Sequence, residues 1–254
     1  LSDIARAVRI LRRHSGRCHI DPGRLVVCGF SAGGHLCASL CVHHKDIRDP
    51  DAVYDAITAR PDAALLCYPV ITSGEYANQE SFRALCGEQP DAAELEYMSL
   101  EKHVTEDMPP CFLWQTVTDT SVPVENSCLF ARACREAKVP FAHHVFSGGR
   151  HGMSVATEEW LERDYGQPYT LEQIRLLAEA VRAGRTSLPA EAAEEILREH
   201  ELDGTKKQKW SPAEKEEIRA GMYEVTCWRE LAKCWLARML DLDMPSKVYG
   251  GEKE

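Results

Sequence analysis

Five residues constrain this chain more than any others: Gly29-Phe30-Ser31-Ala32-Gly33 stand between an apolar run, Leu25-Val26-Val27-Cys28, and a helical pattern that begins at Ala32. The run is short, rich in β-branched residues and ended by glycine, which predicts a buried strand. A strand that turns at once into a helix over G-x-S-x-G is the nucleophile-elbow pattern. The serine must then sit on a sharp, strained turn, and the residues two before and two after it must be small for strand and helix to approach. Its Oγ projects above the sheet, while the N–H of Ala32 at the helix start points to where an oxyanion would develop. The five residues alone also fit a glycine-rich turn without chemistry, so the partners decide.

A serine hydroxyl is a poor nucleophile until a histidine, oriented by a carboxylate, takes its proton. Where the serine rides such an elbow, chain order is Ser, then Asp or Glu, then His. Asp119 lies past a predicted strand in Trp114-Gln115-Thr116-Val117-Thr118-Asp119, and His151 past the next one in Gly148-Gly149-Arg150-His151-Gly152. Each therefore follows the C-terminal end of a strand, where open α/β sheets build their sites. Taken alone, Asp119 also reads as a turn aspartate and His151 as a surface histidine. Asp119 is the only carboxylate of its loop, whereas Asp107 precedes its strand and belongs to the wrong end. The expected roles are Ser31 as nucleophile, His151 as general base, Asp119 as its orienting group, and the Ala32 N–H as half of an oxyanion hole.

Four apolar runs predict strands around 24–29, 62–68, 111–116 and 140–146, with helical patterns between them, notably Val124 to Ala137. Strands alternating with helices imply an α/β class, a mostly parallel sheet with helices on both faces. The first segment, Ser2 to His14, predicts an amphipathic helix with Ser2 as N-cap, and the helix after Ser31 is expected to run to about His44. Between the second and third strands a polar excursion, Thr72 to Met108, carries short helical pieces around Ser81–Cys86 and Ala92–Tyr97; such insertions shape pockets. From Glu158 charged helices take over, two or three of them between 170 and 225, with capping boxes at Thr170/Gln173 and Ser211/Glu214. Trp228, Leu231, Ala232, Trp235, Leu236, Met239 and Leu240 form an apolar stripe that must pack on the sheet. The resulting division is a core over 1–157, a helical insertion over 158–223, a final core helix over 224–242 and a tail over 243–254.

With 40 acidic against 30 basic residues the net charge is −10, which opposes a phosphate backbone, so no nucleic-acid partner is expected. No run of about 18 apolar residues predicts a membrane span. The 11 cysteines lack metal-type CxxC pairs, and the neighbours in His43-His44 and His143-His144 point different ways, so neither a metal nor a cofactor is implied. His35, Cys37 and Cys41 read as packing residues of the helix after Ser31. Reduced, mostly buried thiols in a cytoplasmic protein are the expectation, with a secreted disulfide framework as the alternative.

GFSAGGHL, Tyr68-Pro69-Val70-Ile71-Thr72, Pro109-Pro110-Cys111-Phe112-Leu113-Trp114, Val122-Pro123-Val124-Glu125-Asn126-Ser127 and Val145 through Gly152 together resemble the acetyl esterase/lipase branch of the α/β-hydrolases. Members are often labelled xylan esterase-like or endo-1,4-β-xylanase-like. The resemblance covers 1–157 and resumes over 224–240. It implies hydrolysis of short acyl esters of small molecules or carbohydrate, acetyl esters among them, through an acyl-enzyme and without a cofactor. The chain departs from the family at Gln115, where a histidine is usual, and at Thr118, where a second aspartate is usual; 160–222 is also longer than expected. The family's preceding strands and His-Gly-Gly-type oxyanion loop are missing, so the chain resembles an N-terminally truncated member carrying the C-terminal half of the fold. An exposed sheet edge open to self-association is the expected consequence. Two alternatives stand beside the esterase: a catalytically impaired remnant serving as a binding or partner-dependent module, and an interaction role for 170–222.

Overall fold

A computed structural model describes residues 1–162, 169–199 and 210–243. Its elements, in chain order, are α1 (Ser2–Arg13), α2 (Ser15–Cys18), β1 (Val26–Phe30), α3 (Ala32–His43), α4 (Ala52–Asp55), β2 (Ala63–Cys67), α5 (Gln79–Cys86) and α6 (Ala92–Tyr97). A 3-10 turn at Leu100–Lys102 leads to β3 (Cys111–Thr116), α7 (Glu125–Glu136), β4 (Phe141–Phe146), α8 (Glu158–Glu162), α9 (Tyr169–Arg182), α10 (Ala190–Glu199), α11 (Pro212–Val225) and α12 (Trp228–Met239). Two compact units result, one of Leu1–Val155 with Ala220–Glu254, the other of Ala156–Arg219.

The first unit holds a sheet of order β1-β2-β3-β4, parallel throughout. Every residue of β2 and β3 is buried, as parallel strands covered on both faces require. Leu66 and Leu113 on one face join Cys37 and Ala38 of α3 and Phe130 and Cys134 of α7 in the main core. On the other face Trp114 stacks on Trp228 at 5.6 Å between centroids, and Phe112 meets Trp235 at 5.9 Å. The apolar stripe of α12 thus packs on the sheet, and register aligns Phe30, Cys67 and Trp114 across three strands. The strands end together, so the loops that follow them share one rim.

Several boundaries differ from the sequence reading. Leu1, not Ser2, takes the N-cap position of α1, and no side chain caps it. The helix is anchored instead by buried Arg9, which donates to the carbonyls of Ile57 at 3.0 Å and Ile47 at 2.6 Å. The expected helix from 224 is two helices, α11 ending at Val225 and α12 starting at Trp228. Val225-Thr226 is a β-branched pair that crowds a helical turn, and the break lets the Trp228 indole donate to the Ser154 carbonyl at 2.9 Å. All 11 cysteines are free thiols, but rather than being mostly buried, four of them, Cys18, Cys28, Cys128 and Cys227, are exposed.

In the second unit Leu161, Ala178 and Ile218 are buried, and the rings of Trp160 and Trp210 lie 5.2 Å apart. Arg219 clamps Glu158 with two hydrogen bonds of 2.9 and 3.0 Å. The capping box at the start of α11 forms: the Ser211 N–H donates to Glu214 at 2.7 Å and the Glu214 N–H to Ser211 Oγ at 3.3 Å. At α9, Tyr169 is already helical, so Thr170 is not its N-cap; the side chains of Thr170 and Gln173 lie outside the described residues, as does the tail beyond 243. Among the described residues no helix is long and apolar enough to cross a membrane.

Candidate active site

Ser31 sits between β1 and α3 with φ 55° and ψ −121°, a conformation that L-residues enter only under strain. Neighbouring backbone fixes it there. The Ser31 N–H donates to the Cys67 carbonyl at 3.0 Å, and its carbonyl accepts from Val70 at 3.2 Å and His35 at 3.1 Å. A Cβ on Gly29 would lie 2.1 Å from the Gly33 carbonyl oxygen, so only glycine allows strand and helix to meet there. On the helix side the expectation is corrected: a Cβ on Gly33 would meet nothing within 4 Å, whereas one on Gly34 would lie 2.8 Å from Pro69 Cβ. Ala32 opens α3, and its N–H belongs to the first turn, where no intrahelical acceptor exists.

The loops after β3 and β4 bring the partners to the serine. Ser31 Oγ lies 2.7 Å from His151 Nε2, and His151 Nδ1 lies 2.6 Å from Asp119 Oδ2. The Asp119 side chain is 1% exposed against 22% for His151, so the carboxylate is sealed below and the imidazole opens to the surface. Asp119 divides its oxygens between two tasks. Oδ1 accepts the N–H groups of Ser121 and Val122, both at 2.9 Å, in the turn role foreseen for such a residue. Oδ2 serves His151 and also accepts from Gln115 Nε2 at 3.3 Å.

The histidine loop is pinned at Gly149. Its carbonyl accepts from Thr116 Oγ1 at 2.8 Å and Thr118 Oγ1 at 2.9 Å, and its N–H donates to Thr118 Oγ1 at 2.9 Å. Gly149 has φ 140° and a Cβ there would lie 2.5 Å from Met153 Sδ, so this glycine is demanded by both backbone and space. Ser147, at the root of the loop, donates its N–H and hydroxyl to Glu224 of α11 at 2.8 and 2.9 Å, bonds that hold that carboxyl below its usual range. Tyr68, just past β2, packs edge-on to His151 at 5.0 Å between centroids; burial pushes its phenol up, and its oxygen accepts the Ser154 N–H at 3.2 Å. In the sequence Gln115 and Thr118 stand out only as departures from the family, Tyr68 only as part of a shared motif, and Glu224 not at all. Thr116 and Thr118 give no local signal of the pinning, because the Gly149 carbonyl they bind lies 33 and 31 positions away.

The remaining candidates are structural. His35 is buried, donates from Nε2 to the Met98 carbonyl at 3.0 Å and accepts from Ser39 at 3.2 Å; burial lowers its pKa. His43 is bonded to the Tyr97 carbonyl at 2.9 Å, and His143 donates to Ser127 at 3.0 Å. Asp107 pairs with Lys45, away from the triad. Among the described residues no group of three or more His, Cys, Asp or Glu could hold a metal ion. A largely apolar cavity of about 260 Å³ runs beside α3, lined by Ala32, His35, Leu36, Val70, Phe82 and Met98 among others.

The chain is similar to several known proteins. The BD-FAE family model matches residues 1–134. The chain is 51% identical over 173 residues to endo-1,4-beta-xylanase B of Butyrivibrio fibrisolvens, covering 68% of this chain and 27% of that protein. It is 25% identical over 165 residues to an acetylxylan esterase of Xylanibacter ruminicola, covering 62% and 32%. Among solved structures, an acetyl ester-xyloside bifunctional hydrolase from Caldicellulosiruptor lactoaceticus superposes with a TM-score of 0.58 at 41% identity, over 70% of this chain and 64% of that one. The chain therefore spans about a third or less of the length of these two curated relatives. The fold is that of the α/β-hydrolases.

Proposed function

The chain belongs to the BD-FAE family, and from that premise we propose that it is a serine ester hydrolase that cleaves short-chain acyl esters, acetyl esters of carbohydrate among them, through an acyl-enzyme. The observation that carries the reading is the continuous relay from Ser31 Oγ to His151 Nε2 at 2.7 Å and from His151 Nδ1 to Asp119 Oδ2 at 2.6 Å. In this reading Ser31 Oγ attacks the acyl carbon while His151 Nε2 takes its proton. The buried Asp119 carboxylate holds the Nδ1–H tautomer and stabilises the imidazolium that forms. The Ala32 N–H at the start of α3 supplies one donor to the tetrahedral oxyanion. His151 then returns its proton to the leaving alcohol, and a water deprotonated by the same imidazole releases the acid.

The substrate class rests on the relatives. One is an acetylxylan esterase and another an acetyl ester-xyloside bifunctional hydrolase, and the cavity beside Ala32 offers apolar walls to the ester. The test is covalent labelling with a fluorophosphonate, followed by peptide mapping and by hydrolysis of 4-nitrophenyl acetate and acetylated xylo-oligosaccharides. Label on Ser31, lost in Ser31→Ala, is expected; an unlabelled serine, or label that survives the substitution, overturns the reading.

A further inference from the structure

The amide of Gln115 holds a position in this site that neither the relay nor the packing accounts for. Its side chain is fully buried at the end of β3, four residues before Asp119. Nε2 lies 2.6 Å from the Val122 carbonyl and 3.3 Å from Asp119 Oδ2. Both neighbours can only accept, so the amide orientation is forced: the nitrogen faces them and both its N–H groups are committed. The carbonyl end, Oε1, is buried without a partner, and an orphaned buried acceptor of this kind destabilises the fold. An apolar residue of the same volume would avoid that cost. What such a residue could not supply is a donor to the oxygen that also receives the His151 Nδ1–H.

We propose that Gln115 is a positioning residue of the relay: its Nε2–H shares Asp119 Oδ2 with the imidazole, fixing the carboxylate plane and moderating the Asp119–His151 hydrogen bond. This rests on the hydrolase reading for its purpose, though not for its geometry. Asp119 is held at Oδ1 by two backbone N–H groups of its own loop, which leaves rotation about that anchor to be stopped at Oδ2. Gln115 blocks that rotation from β3 and, through Val122, ties the far side of the same loop to the strand. The donor also draws negative charge away from the bond to Nδ1–H. Removing it concentrates charge on the imidazole contact, which strengthens that single bond while loosening its alignment.

The test is proton NMR of the low-field His151 Nδ1–H in the full chain. In the unsubstituted protein a Gln115 side-chain amide proton should show a nuclear Overhauser effect to that proton, because the two donors converge on one oxygen. In Gln115→Met the Nδ1–H resonance should persist and move downfield. A residue that merely filled space would leave the resonance where it was. Absence of the Overhauser contact, or an unmoved resonance in a folded Gln115→Met, overturns the proposal; the first measurement stands even where the variant fails to fold. Fluorophosphonate labelling of the unsubstituted chain is run alongside, so failure of the hydrolase reading appears as an unlabelled Ser31 and is distinguished from a failure at Gln115.

Discussion

The two halves of the candidate site are held by different physics. The elbow at Ser31 is held by steric exclusion: Gly29 lets the Gly33 carbonyl approach where any Cβ would collide, and backbone hydrogen bonds from neighbouring loops hold Ser31 in its strained conformation. The loops carrying Asp119 and His151 are held by hydrogen bonds from side chains to backbone, through Gln115, Thr116, Thr118 and Glu224. Sterics of the first kind tolerate almost no substitution, because packed backbone does not relax far. Bonds of the second kind are several and individually modest, about 1 kcal/mol each. Ser31 is therefore set rigidly, while His151 is set by a sum of contacts that can be weakened one at a time.

The largest expected effect removes the chemistry and leaves both halves standing. Ser31→Ala and His151→Ala should each lower esterase turnover by about 10³-fold or more, and Asp119→Asn by somewhat less. Circular dichroism should show all three folded; near-normal turnover in the serine variant would end the relay hypothesis.

Next comes a pair of substitutions within the elbow itself. Gly29→Ala should abolish or grossly destabilise the folded chain, because the new methyl would sit 2.1 Å from a carbonyl oxygen. Gly33→Ala should be tolerated and add stability of up to about 1 kcal/mol, since its Cβ enters open space on a helix. Urea unfolding of the two variants checks this, and equal tolerance would mean that the elbow is not held by sterics.

This asymmetry decides what the sequence could disclose. A steric constraint is local and leaves a compositional mark, which is why glycines around Ser31 announced the elbow and its flanking strand and helix. The apolar runs of β2 and β3 were legible for the same reason, being buried on both faces. Hydrogen-bond pinning leaves no such mark. Thr118 reads as an ordinary loop threonine until Gly149, 31 positions away, is seen against it, and Glu224 lies 77 positions from Ser147. The break between α11 and α12 is not legible because the apolar stripe begins only at Trp228, past the break, and fixes no boundary upstream of itself. Even within the elbow pattern the crowded helix position proved to be Gly34 rather than Gly33, since closeness to Pro69 depends on a loop that sequence spacing does not locate.

A smaller effect tests the pinned half. Thr118→Val keeps shape and removes both the donor to the Gly149 carbonyl and the acceptor for its N–H. Turnover should fall by about three- to tenfold, corresponding to roughly 1 kcal/mol of lost positioning, with the fluorophosphonate still mapping to Ser31. A loss as large as that of His151→Ala would show that one residue, and not a sum of contacts, sets the histidine loop.

The smallest effect concerns the helix behind the elbow. On α3, His35 and His43 are buried, and burial lowers the pKa of each from the ordinary 6.5. A group whose folded pKa lies below its unfolded value binds fewer protons when folded, so stability rises with pH across the window between the two and is level above it. As pH falls from neutrality toward 5, unfolding should therefore become easier. His35 adds a specific loss, since protonation of Nδ1 removes the acceptor that Ser39 uses. On β4, His143 and His144 are lowered by burial as well and act in the same sense. The urea midpoint should decline over that interval, and His35→Gln should flatten the decline in part. A midpoint unchanged between pH 7 and pH 5 would mean that these imidazoles accept protons without disturbing the helix, and that the rigidity of the elbow does not depend on keeping α3 neutral.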